Sequence, residues 1–368
     1  MRTLVVSDLH LGARGARALL EARDPLERLT SALAGTDRLV LLGDVLELRE
    51  GPLRDALEAA TRVLARIGNA LAPDREVVLV PGNHDHHLLA PWSERRSAGV
   101  PPAPLGLSAA VDWAGGEPLA ALIAALGAGG ARVLVRYPGV WLGDGVYATH
   151  GHYLDCHTTV PVLERLAAGA NARVLRRRVD RFASAEDYEA VLGPSYAWIH
   201  AIAQARAIPT GAGAPVDASV SLWRALGSGS RDGLRRRATA VAVAAAVRTL
   251  GRAGLGPLRG DLSASELRRA SLAAFGATLQ ALSVGCEYAI FGHSHRAGPL
   301  PRDAAAEWRA PSGARMLNAG CWVHEPDFIG PDPSSSPYRP GFAVELDAER
   351  PPRLVNLLDP SHDPGAEQ

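Results

Sequence analysis

The sequence contains no lysine, so all 39 of its basic residues are arginine, and 39 acidic residues balance them. A formal charge of zero disfavours a general nucleic-acid binder, because such proteins carry a basic excess. Cysteine is also scarce, since only Cys156, Cys286 and Cys321 occur and no CxxC pair exists. We therefore expect neither a disulfide framework nor a cysteine-type zinc site. We expect the protein to be in a reducing compartment.

Long apolar runs are missing as well. The N-terminus, MRTLVVSDLHLG, has no hydrophobic stretch of the signal-peptide type. The longest nearly apolar run, residues 238–247, is about half of the ~20 residues that a membrane span needs. We therefore expect a cytoplasmic protein, peripheral at the inner membrane face if its arginine-rich segment contacts lipid.

Five short apolar runs each end at a group of polar residues that can bind metal. The runs are residues 3–6 before SDLH, 39–42 before GD, 77–80 before PGNHD, 146–148 before THGH and 288–291 before GHSH. Short Val/Leu/Ile-rich runs without alternation are typical of strands buried on both faces. A helical pattern from Pro52 to a stop at Gly68 lies between two of them, which predicts βαβ units. Ligands of such sheets bind beyond the carboxyl ends of the strands.

Seven side chains at these strand ends offer nitrogen or oxygen ligands. They are Asp8, His10, Asp44, Asn83, His150, His293 and His295. Seven ligands are too many for one metal ion with an open position and suit two divalent ions. Because thiolate is absent, Mn²⁺ is the first expectation, with Fe or Zn²⁺ as alternatives. A carboxylate can bridge two ions about 3.5–4 Å apart, and Asp44, the middle carboxylate, is the expected bridge.

The ordered motifs DxH, GDxxE, GNHD, HGH and GHSH resemble those of the calcineurin-like metallophosphoesterase superfamily, over about residues 1–90, 140–157 and 284–325. The resemblance implies an α/β fold, a four-layer α/β/β/α sandwich with the site at the strand ends. It implies that Asp8, His10, Asp44 and His295 hold one metal ion. It implies that Asp44, Asn83, His150 and His293 hold the other. His84 would then be the catalytic histidine that binds no metal, acting as general acid or as a stabiliser of transition-state charge.

Residues beside these motifs leave alternatives open. Asp85 would either orient His84 or cap a following helix, and His86 and His87 are expected to be exposed loop residues. Three further polar residues follow His150, namely His152, Asp155 and His157. They could support the ligating imidazoles, which usually donate their other N–H to a carboxylate. They could also contact substrate or belong to a polar loop.

The chain is expected to divide into a discontinuous core of residues 1–155 and 283–358, a mainly helical insertion or cap of residues 156–282, and a flexible tail of residues 359–368. The insertion is basic, with 17 arginines against nine acidic residues over 160–270. Arg173, Arg177 and Arg181 would share one helical face, and a second cluster occupies 235–237. These groups could bind an anionic substrate or a membrane surface, or they could form a solvated face.

The expected function is a dinuclear-metal phosphoester hydrolase, in which a metal-bridging hydroxide attacks a phosphate ester or pyrophosphate in line. The substrate would be a phosphorylated small molecule or a lipid-linked phosphate. VSDLHLG and the insertion are similar to UDP-2,3-diacylglucosamine hydrolases, but that family carries Arg in place of His84 and HGD in place of HGH. This pyrophosphatase and a nuclease of the same superfamily are the alternatives. A non-enzymatic scaffold is disfavoured because all seven ligands are present, and the pattern specifies no oligomeric state.

Overall fold

The computed structural model describes residues 1–160, 163–205, 258, 264–330, 332–347 and 350–360. Within these ranges the chain forms ten strands and eight α-helices. The strands are β1 (Thr3–Val6), β2 (Arg38–Leu42), β3 (Glu76–Val80), β4 (Ser108–Ala110), β5 (Arg132–Gly143), β6 (Val146–Thr149), β7 (Tyr288–Phe291), β8 (Arg315–Asn318), β9 (Phe342–Asp347) and β10 (Arg350–Asn356). The helices are α1 (Arg23–Ala32), α2 (Leu53–Ala70), α3 (Ala90–Ala98), α4 (Pro118–Leu126), α5 (Leu163–Val174), α6 (Ala185–Ala205), α7 (Ala264–Ala281) and α8 (Pro326–Ile329).

The strands form one continuous hydrogen-bonded sheet in the order β10-β9-β1-β2-β3-β5-β6-β7-β8, with β4 paired to β5. Strands β1, β2, β3 and the first half of β5 are parallel neighbours, and so are β6, β7 and β8. The second half of β5 pairs antiparallel with β6. The carboxyl ends of the parallel strands therefore meet along one edge of each half.

All five strands that precede polar motifs are present, and β1 and β7 are buried over their whole length. The 12-residue strand β5 was not predicted. Its burial alternates irregularly, and it contains Pro138 and Gly139, which are both depleted in strand interiors. The local pattern of the strand that joins the two halves of the sheet is thus interrupted in its middle.

The helix predicted from Pro52 is present as α2, but it continues past Gly68 to Ala70. Gly68 does not stop the helix. A Cβ there would lie 2.3 Å from the carbonyl oxygen of Leu126, so the glycine permits α2 and α4 to approach closely. The prediction of a stop was wrong because it assigned to helix termination a glycine that serves helix packing.

Three buried apolar clusters hold this mixed α/β fold together. The first packs helices such as α1, α2 and α4 against one side of the sheet. The second joins residues from both halves of the sheet, among them Val5, Val80, Val140 and Ile290. The third joins α7 to β7 and β8. The central sheet with helices is consistent with a metallophosphoesterase domain, and the four-layer sandwich remains a prediction.

The described part of residues 156–282 contains the helices α5, α6 and α7 and no strand. Helix α5 ends at Val174, so the prediction that Arg177 and Arg181 share a helical face with Arg173 was wrong. Residues 235–247 lie outside the described residues, as do 361–368 of the predicted tail. Among the described residues, no helix has the length and apolarity that crossing a bilayer requires.

Candidate metal centre

The backbone at the strand ends adopts conformations that side chains rarely tolerate. Eight non-glycine residues of the described chain have positive φ, and five of them are predicted ligands: Asp8, His10, Asp44, His293 and His295. A left-handed backbone costs about 1–2 kcal/mol at a residue with a Cβ. Such strain persists where surrounding structure enforces it, and it concentrates at functional sites.

At two positions of the same motifs, only glycine fits the space available. A Cβ on Gly82 would lie 2.3 Å from Asp44 Oδ1, and one on Gly292 would lie 2.0 Å from Ser7 Oγ. Any side chain at either position would displace a neighbour of the predicted ligands. The GNHD and GHSH motifs therefore need glycine for close backbone approach.

The first ligand group consists of Asp8, His10 and His295. His10 Nε2 and His295 Nε2 lie 3.1 Å apart, and His295 Nε2 lies 3.3 Å from Asp8 Oδ1. The three candidate ligand atoms lie within 4.8 Å of one another. The structure thus brings together residues that are up to 287 positions apart in the sequence.

The second ligand group consists of Asp44, Asn83, His150 and His293. Asn83 Oδ1 lies 3.1 Å from His150 Nε2 and 3.0 Å from His293 Nδ1. Asp44 Oδ2 lies 3.1 Å from His150 Nε2. Asp44, His150 and His293 also have candidate ligand atoms within 4.8 Å of one another.

Asp44 lies between the two groups. Its Oδ2 is 3.8 Å from His10 Nε2 of the first group and 3.1 Å from His150 Nε2 of the second. Its Oδ1 accepts a hydrogen bond from the backbone N–H of His84 at 2.8 Å, which holds the carboxylate in place. All seven predicted ligands therefore converge, with Asp44 in the central position.

The opposite nitrogen of three candidate ligand histidines is already occupied by an acceptor. His10 Nδ1 lies 3.0 Å from Glu47 Oε2, and His150 Nδ1 lies 2.9 Å from the Leu42 carbonyl oxygen. His293 Nε2 lies 3.1 Å from Asp155 Oδ1. Once a cation displaces the second proton, each ring would keep its hydrogen on that nitrogen and present a lone pair to the centre, as in metal-ligating histidines. Of the three proposed roles for Asp155, support of a ligating imidazole is the one that this contact matches.

Glu47, the last residue of GDxxE, has a role that the sequence did not reveal. Its Oε2 also lies 2.7 Å from His84 Nδ1, so one carboxylate orients both His10 and His84. In the sequence, the position of Glu47 three residues after Asp44 in GDxxE is the signal that could have indicated this role. Asp85 was expected to orient His84 or to cap a helix, and it does neither. Its carboxylate accepts hydrogen bonds from the backbone N–H groups of Gly82 and Val45, because the buried loop needs acceptors.

Buried acids and imidazoles shift one another's pKa at this centre. Burial lowers the pKa of His150, but Asp44 and Asp8 raise it to about 9. Burial would raise the pKa of Asp44, but the charges of His150 and His84 hold that pKa well below its usual value. Burial and the neighbouring Asp44 raise the pKa of Asp85 to about 6. Asp44 is therefore ionised at neutral pH, as a metal ligand must be.

The arrangement fits divalent cations. Asp8 Oδ1 is buried and has no hydrogen-bond partner among the described residues. Its other oxygen is occupied, because Asp8 Oδ2 accepts from Ser7 Oγ at 2.5 Å and from the His293 N–H at 3.0 Å. A buried carboxylate oxygen without a hydrogen bond is unfavourable unless positive charge lies against it, and a bound cation would supply that charge. Nitrogen and oxygen donors of this kind suit Mn²⁺, Fe or Zn²⁺.

Residues 1–190, just over half of the chain, match the family model for calcineurin-like phosphoesterases. The chain belongs to the calcineurin-like phosphoesterase family. The family implies a phosphoester hydrolase, and the clustered ligands fit one that depends on metal. A search among curated proteins gives no match.

Two solved structures were also compared with this calcineurin-like phosphoesterase. One is a cold-active protein-tyrosine phosphatase of a psychrophile, Shewanella sp., with 12% identity, 97% of this chain and 78% of that chain covered, and a TM-score of 0.28. The other is a point mutant of a cold-active protein tyrosine phosphatase, with 14% identity, the same coverage and a TM-score of 0.26. TM-scores this low do not establish a shared fold.

Two histidines beyond the candidate ligands, His86 and His87, contact helix α6. His86 and His87 were expected to be exposed, and that expectation was wrong. His86 Nε2 lies 2.8 Å from Glu189 Oε2 on α6, and the His87 ring stacks on that of His200 at 3.7 Å. The polar rings are covered because α6 packs over them.

His152 and His157 serve different contacts from the ligand histidines. His152 Nε2 lies 3.1 Å from Tyr137 Oη, and His157 Nε2 lies 2.7 Å from Tyr188 Oη. Burial, with His150 nearby, lowers the pKa of His152 well below its usual value. Neither histidine orients a candidate ligand through a described hydrogen bond. His152 is therefore a neutral ring beside the centre. Its other nitrogen, Nδ1, is buried and has no hydrogen-bond partner among the described residues.

Proposed function

We propose that this protein hydrolyses phosphoesters with two divalent cations, one bound by the first ligand group and one by the second, with Asp44 shared. The observation that carries the proposal is the position of Asp44 Oδ2, which lies within 3.8 Å of an imidazole nitrogen from each group. One carboxylate oxygen so placed suits a bridge between two ions about 3.5–4 Å apart.

Bound cations would supply Lewis-acid charge and generate a nucleophile from water near neutral pH. The chain's own residues would orient the substrate and donate a proton or a hydrogen bond to it. Glu47 fixes the His84 ring through Nδ1, so Nε2 is the atom that can meet the substrate. That nitrogen lies 4.0 Å from Asp44 Oδ2, at the border of both ligand groups. From there His84 can donate a hydrogen bond to a phosphoryl oxygen or a proton to the leaving group.

We propose Mn²⁺ as the working metal, with Fe or Zn²⁺ as alternatives, because the eight residues at this centre combine carboxylate and amide oxygens with imidazole nitrogens and include no thiolate. The substrate class we propose is a phosphorylated small molecule. A pyrophosphate bond of the UDP-2,3-diacylglucosamine type is the narrower alternative, motivated by VSDLHLG at the start of the chain.

The test is a panel of phosphoesters offered to the purified protein after metal removal and reloading with Mn²⁺, Zn²⁺ or Mg²⁺. The panel includes an aryl monoester, an aryl diester, a UDP-linked pyrophosphate and single-stranded DNA. We expect metal-dependent turnover of the aryl monoester and about two metal ions per chain by mass spectrometry. Preference for the pyrophosphate or for DNA would assign the narrower activity instead.

Asp44→Asn should lower turnover by about 10³-fold or more, because the shared ligand supports charge stabilisation worth several kcal/mol. Asp74→Asn is the matched control, since Asp74 is also an aspartate with positive φ but is exposed and far from the ligand groups in the described contacts. Equal turnover and equal metal content in the two variants would refute the proposed centre.

A further inference from the structure

Four buried polar atoms beside the metal centre have no hydrogen-bond partner among the described residues. They are Arg49 Nε, His152 Nδ1, Asp155 Oδ2 and Tyr196 Oη. His152, Asp155 and Tyr196 are 1%, 4% and 4% exposed. Buried polar atoms are nearly always hydrogen-bonded, so several unpartnered ones in one place call for a physical explanation. We call these four side chains the Tyr196 cluster.

The members of the Tyr196 cluster are neighbours. The Arg49 guanidinium carbon lies 5.4 Å from the centroid of the Tyr196 ring, and the His152 ring lies 5.9 Å from it. Asp155 lies in the same short helical turn as His152. Burial raises the pKa of Tyr196 well above its usual value, and the charge of Asp155 adds to that rise. The cluster therefore surrounds the Tyr196 side chain, which projects from α6 of the predicted insertion.

The cluster also contacts the metal centre directly. Arg49 Nη2 donates to the backbone carbonyl oxygen of Asn83 at 3.3 Å, and Asp155 Oδ1 accepts from His293 Nε2 at 3.1 Å. Both Asn83 and His293 belong to the second ligand group. A molecule whose phosphate lies at the metal centre would bring its adjoining atoms to this cluster.

Hydrogen bonding determines what His152 offers. Glu189 Oε1 accepts the hydroxyl hydrogens of Tyr137 and Tyr153. Because Tyr137 has only one hydrogen, its oxygen must accept the N–H of His152 Nε2. His152 Nδ1 then carries a lone pair and no hydrogen. It is a buried acceptor without a donor.

Glu189 and Tyr196 both lie on α6, and that helix is attached to the core along its length. His86 contacts Glu189, His87 stacks on His200, and Gln204 Oε1 accepts the backbone N–H of Leu53 at 2.8 Å. Contacts near the start, middle and end of the helix hold the Tyr196 hydroxyl at a set position. Preorganised polar groups of this kind favour specific recognition.

The cluster presents two acceptors, His152 Nδ1 and Asp155 Oδ2, one cationic donor, Arg49 Nε, and one hydroxyl that can do both. An acyl chain or an aryl ring would leave all four atoms unpaired, which is costly. A group bearing several hydroxyls can donate to the acceptors and accept from the donors at once. We propose that the Tyr196 cluster is a substrate subsite that binds the hydroxyl-bearing part, a sugar or polyol, of a phosphate ester whose phosphate lies at the metal centre.

This inference rests on the proposed function, so the experiment separates the two. The Mn²⁺-loaded protein is assayed with 4-nitrophenyl phosphate, which has no hydroxyl, and with glucose 6-phosphate and glycerol 3-phosphate. Tyr196→Phe removes one hydroxyl of the cluster. Tyr188→Phe is the matched control, because it is the same substitution on the same helix, and the Tyr188 hydroxyl contacts His157 instead.

We expect the wild-type protein to have a higher kcat/KM for one of the two hydroxyl-bearing esters than for the aryl ester. Tyr196→Phe should lower that ratio about tenfold, mainly through KM, because one specific hydrogen bond is lost. As a second readout, that ester's inhibition constant against aryl ester hydrolysis should rise about tenfold more than that of inorganic phosphate. Tyr188→Phe should change neither ratio.

Failure of either idea is recognisable. If no ester is hydrolysed with any metal and Asp44→Asn behaves like the wild type, the proposed function is wrong. If the aryl ester is hydrolysed but Tyr196→Phe changes all substrates and both inhibition constants equally, or changes none, the subsite is overturned. Ordered water would then be the partner of the four atoms.

Discussion

The two sides of this site are built by different means. On the core side, the ends of β1, β2 and β7 present candidate ligands from backbone held at positive φ, as at Asp8 and His293, and the ends of β3 and β6 add Asn83 and His150. On the other side, α6 presents Tyr196 and Glu189 from regular helical backbone. The core side fixes atoms through strained main chain, whereas the α6 side fixes them through side-chain hydrogen bonds.

This difference teaches where each kind of specificity resides. Metal ligands need exact spacing, and strand ends in a parallel sheet supply it because their backbone is anchored on both sides. Changes on the core side should affect chemistry and metal content, and changes on the α6 side should affect selectivity and stability.

Among the substitutions that test this difference between the core side and the α6 side, the largest effect on kcat is expected at His84. His84→Ala should lower kcat by about 10²–10⁴-fold, the usual contribution of a positioned acid or hydrogen-bond donor, with metal content unchanged. His87→Ala, in which the ring stacks on His200 outside the ligand groups, is the control. Loss of a metal ion in His84→Ala would make His84 a ligand, a role its position beside His10 and Asp44 allows.

A smaller effect is expected for Glu47→Gln. Glu47 Oε2 serves His10 and His84, while Oε1 accepts the backbone N–H of Arg49 at 2.9 Å. A glutamine has one acceptor oxygen and one NH₂ donor. In one orientation its NH₂ would face the backbone N–H of Arg49, and in the other it would face the ring N–H groups of His10 and His84. Metal affinity or activity should fall by about 10–100-fold, measured by metal titration and by ester turnover.

Glu50→Gln provides the comparison for that substitution, because Glu50 contacts Arg14 and Arg17 rather than an imidazole. Similar metal affinities in the two variants would show that Glu47 does not orient the ligand histidine. The core side would then rely on backbone alone.

The smallest effect concerns the α6 side. Glu189→Gln should lower the free energy of unfolding by about 1–3 kcal/mol, because the half-buried carboxylate accepts from His86, Tyr137 and Tyr153, and an amide cannot accept all three. Denaturant unfolding measures it. Glu58→Gln, at a side chain that is 75% exposed, should leave stability unchanged.

The stability difference between the wild type and Glu189→Gln should depend on pH. Burial would raise the pKa of Glu189, but His86, Tyr137 and Tyr153 lower it below its ordinary value of 4.5. A lowered pKa stabilises the folded state above pH 4.5, and the contribution is lost as the pH falls through the folded pKa. The gap between wild type and Glu189→Gln should therefore shrink below pH 4.5. A gap independent of pH would show that ionisation of Glu189 does not matter.

The candidate metal ligands could be predicted from sequence because each follows a short buried strand, where the local hydrophobic pattern is strongest. Strand β5, by contrast, was not predicted, because Pro138 and Gly139 interrupt its strand-favouring residues. Asp85 was misread because a carboxylate after GNH has the same local appearance whether it meets a side chain or the backbone N–H groups of a neighbouring loop. Local sequence does not encode that choice of partner.

The amino-acid sequence by itself predicted seven candidate ligands, their order along the chain and the strands that precede them, since these depend on residue type and short-range hydrophobic pattern. Only the tertiary structure decided that Glu47 orients two histidines, that Asp155 supports His293 and that α6 brings Tyr196 to the centre. The physical reason is that a hydrogen bond depends on atoms brought within about 3 Å by folding. Those atoms come from residues as distant in the chain as Asp155 and His293, 138 positions apart.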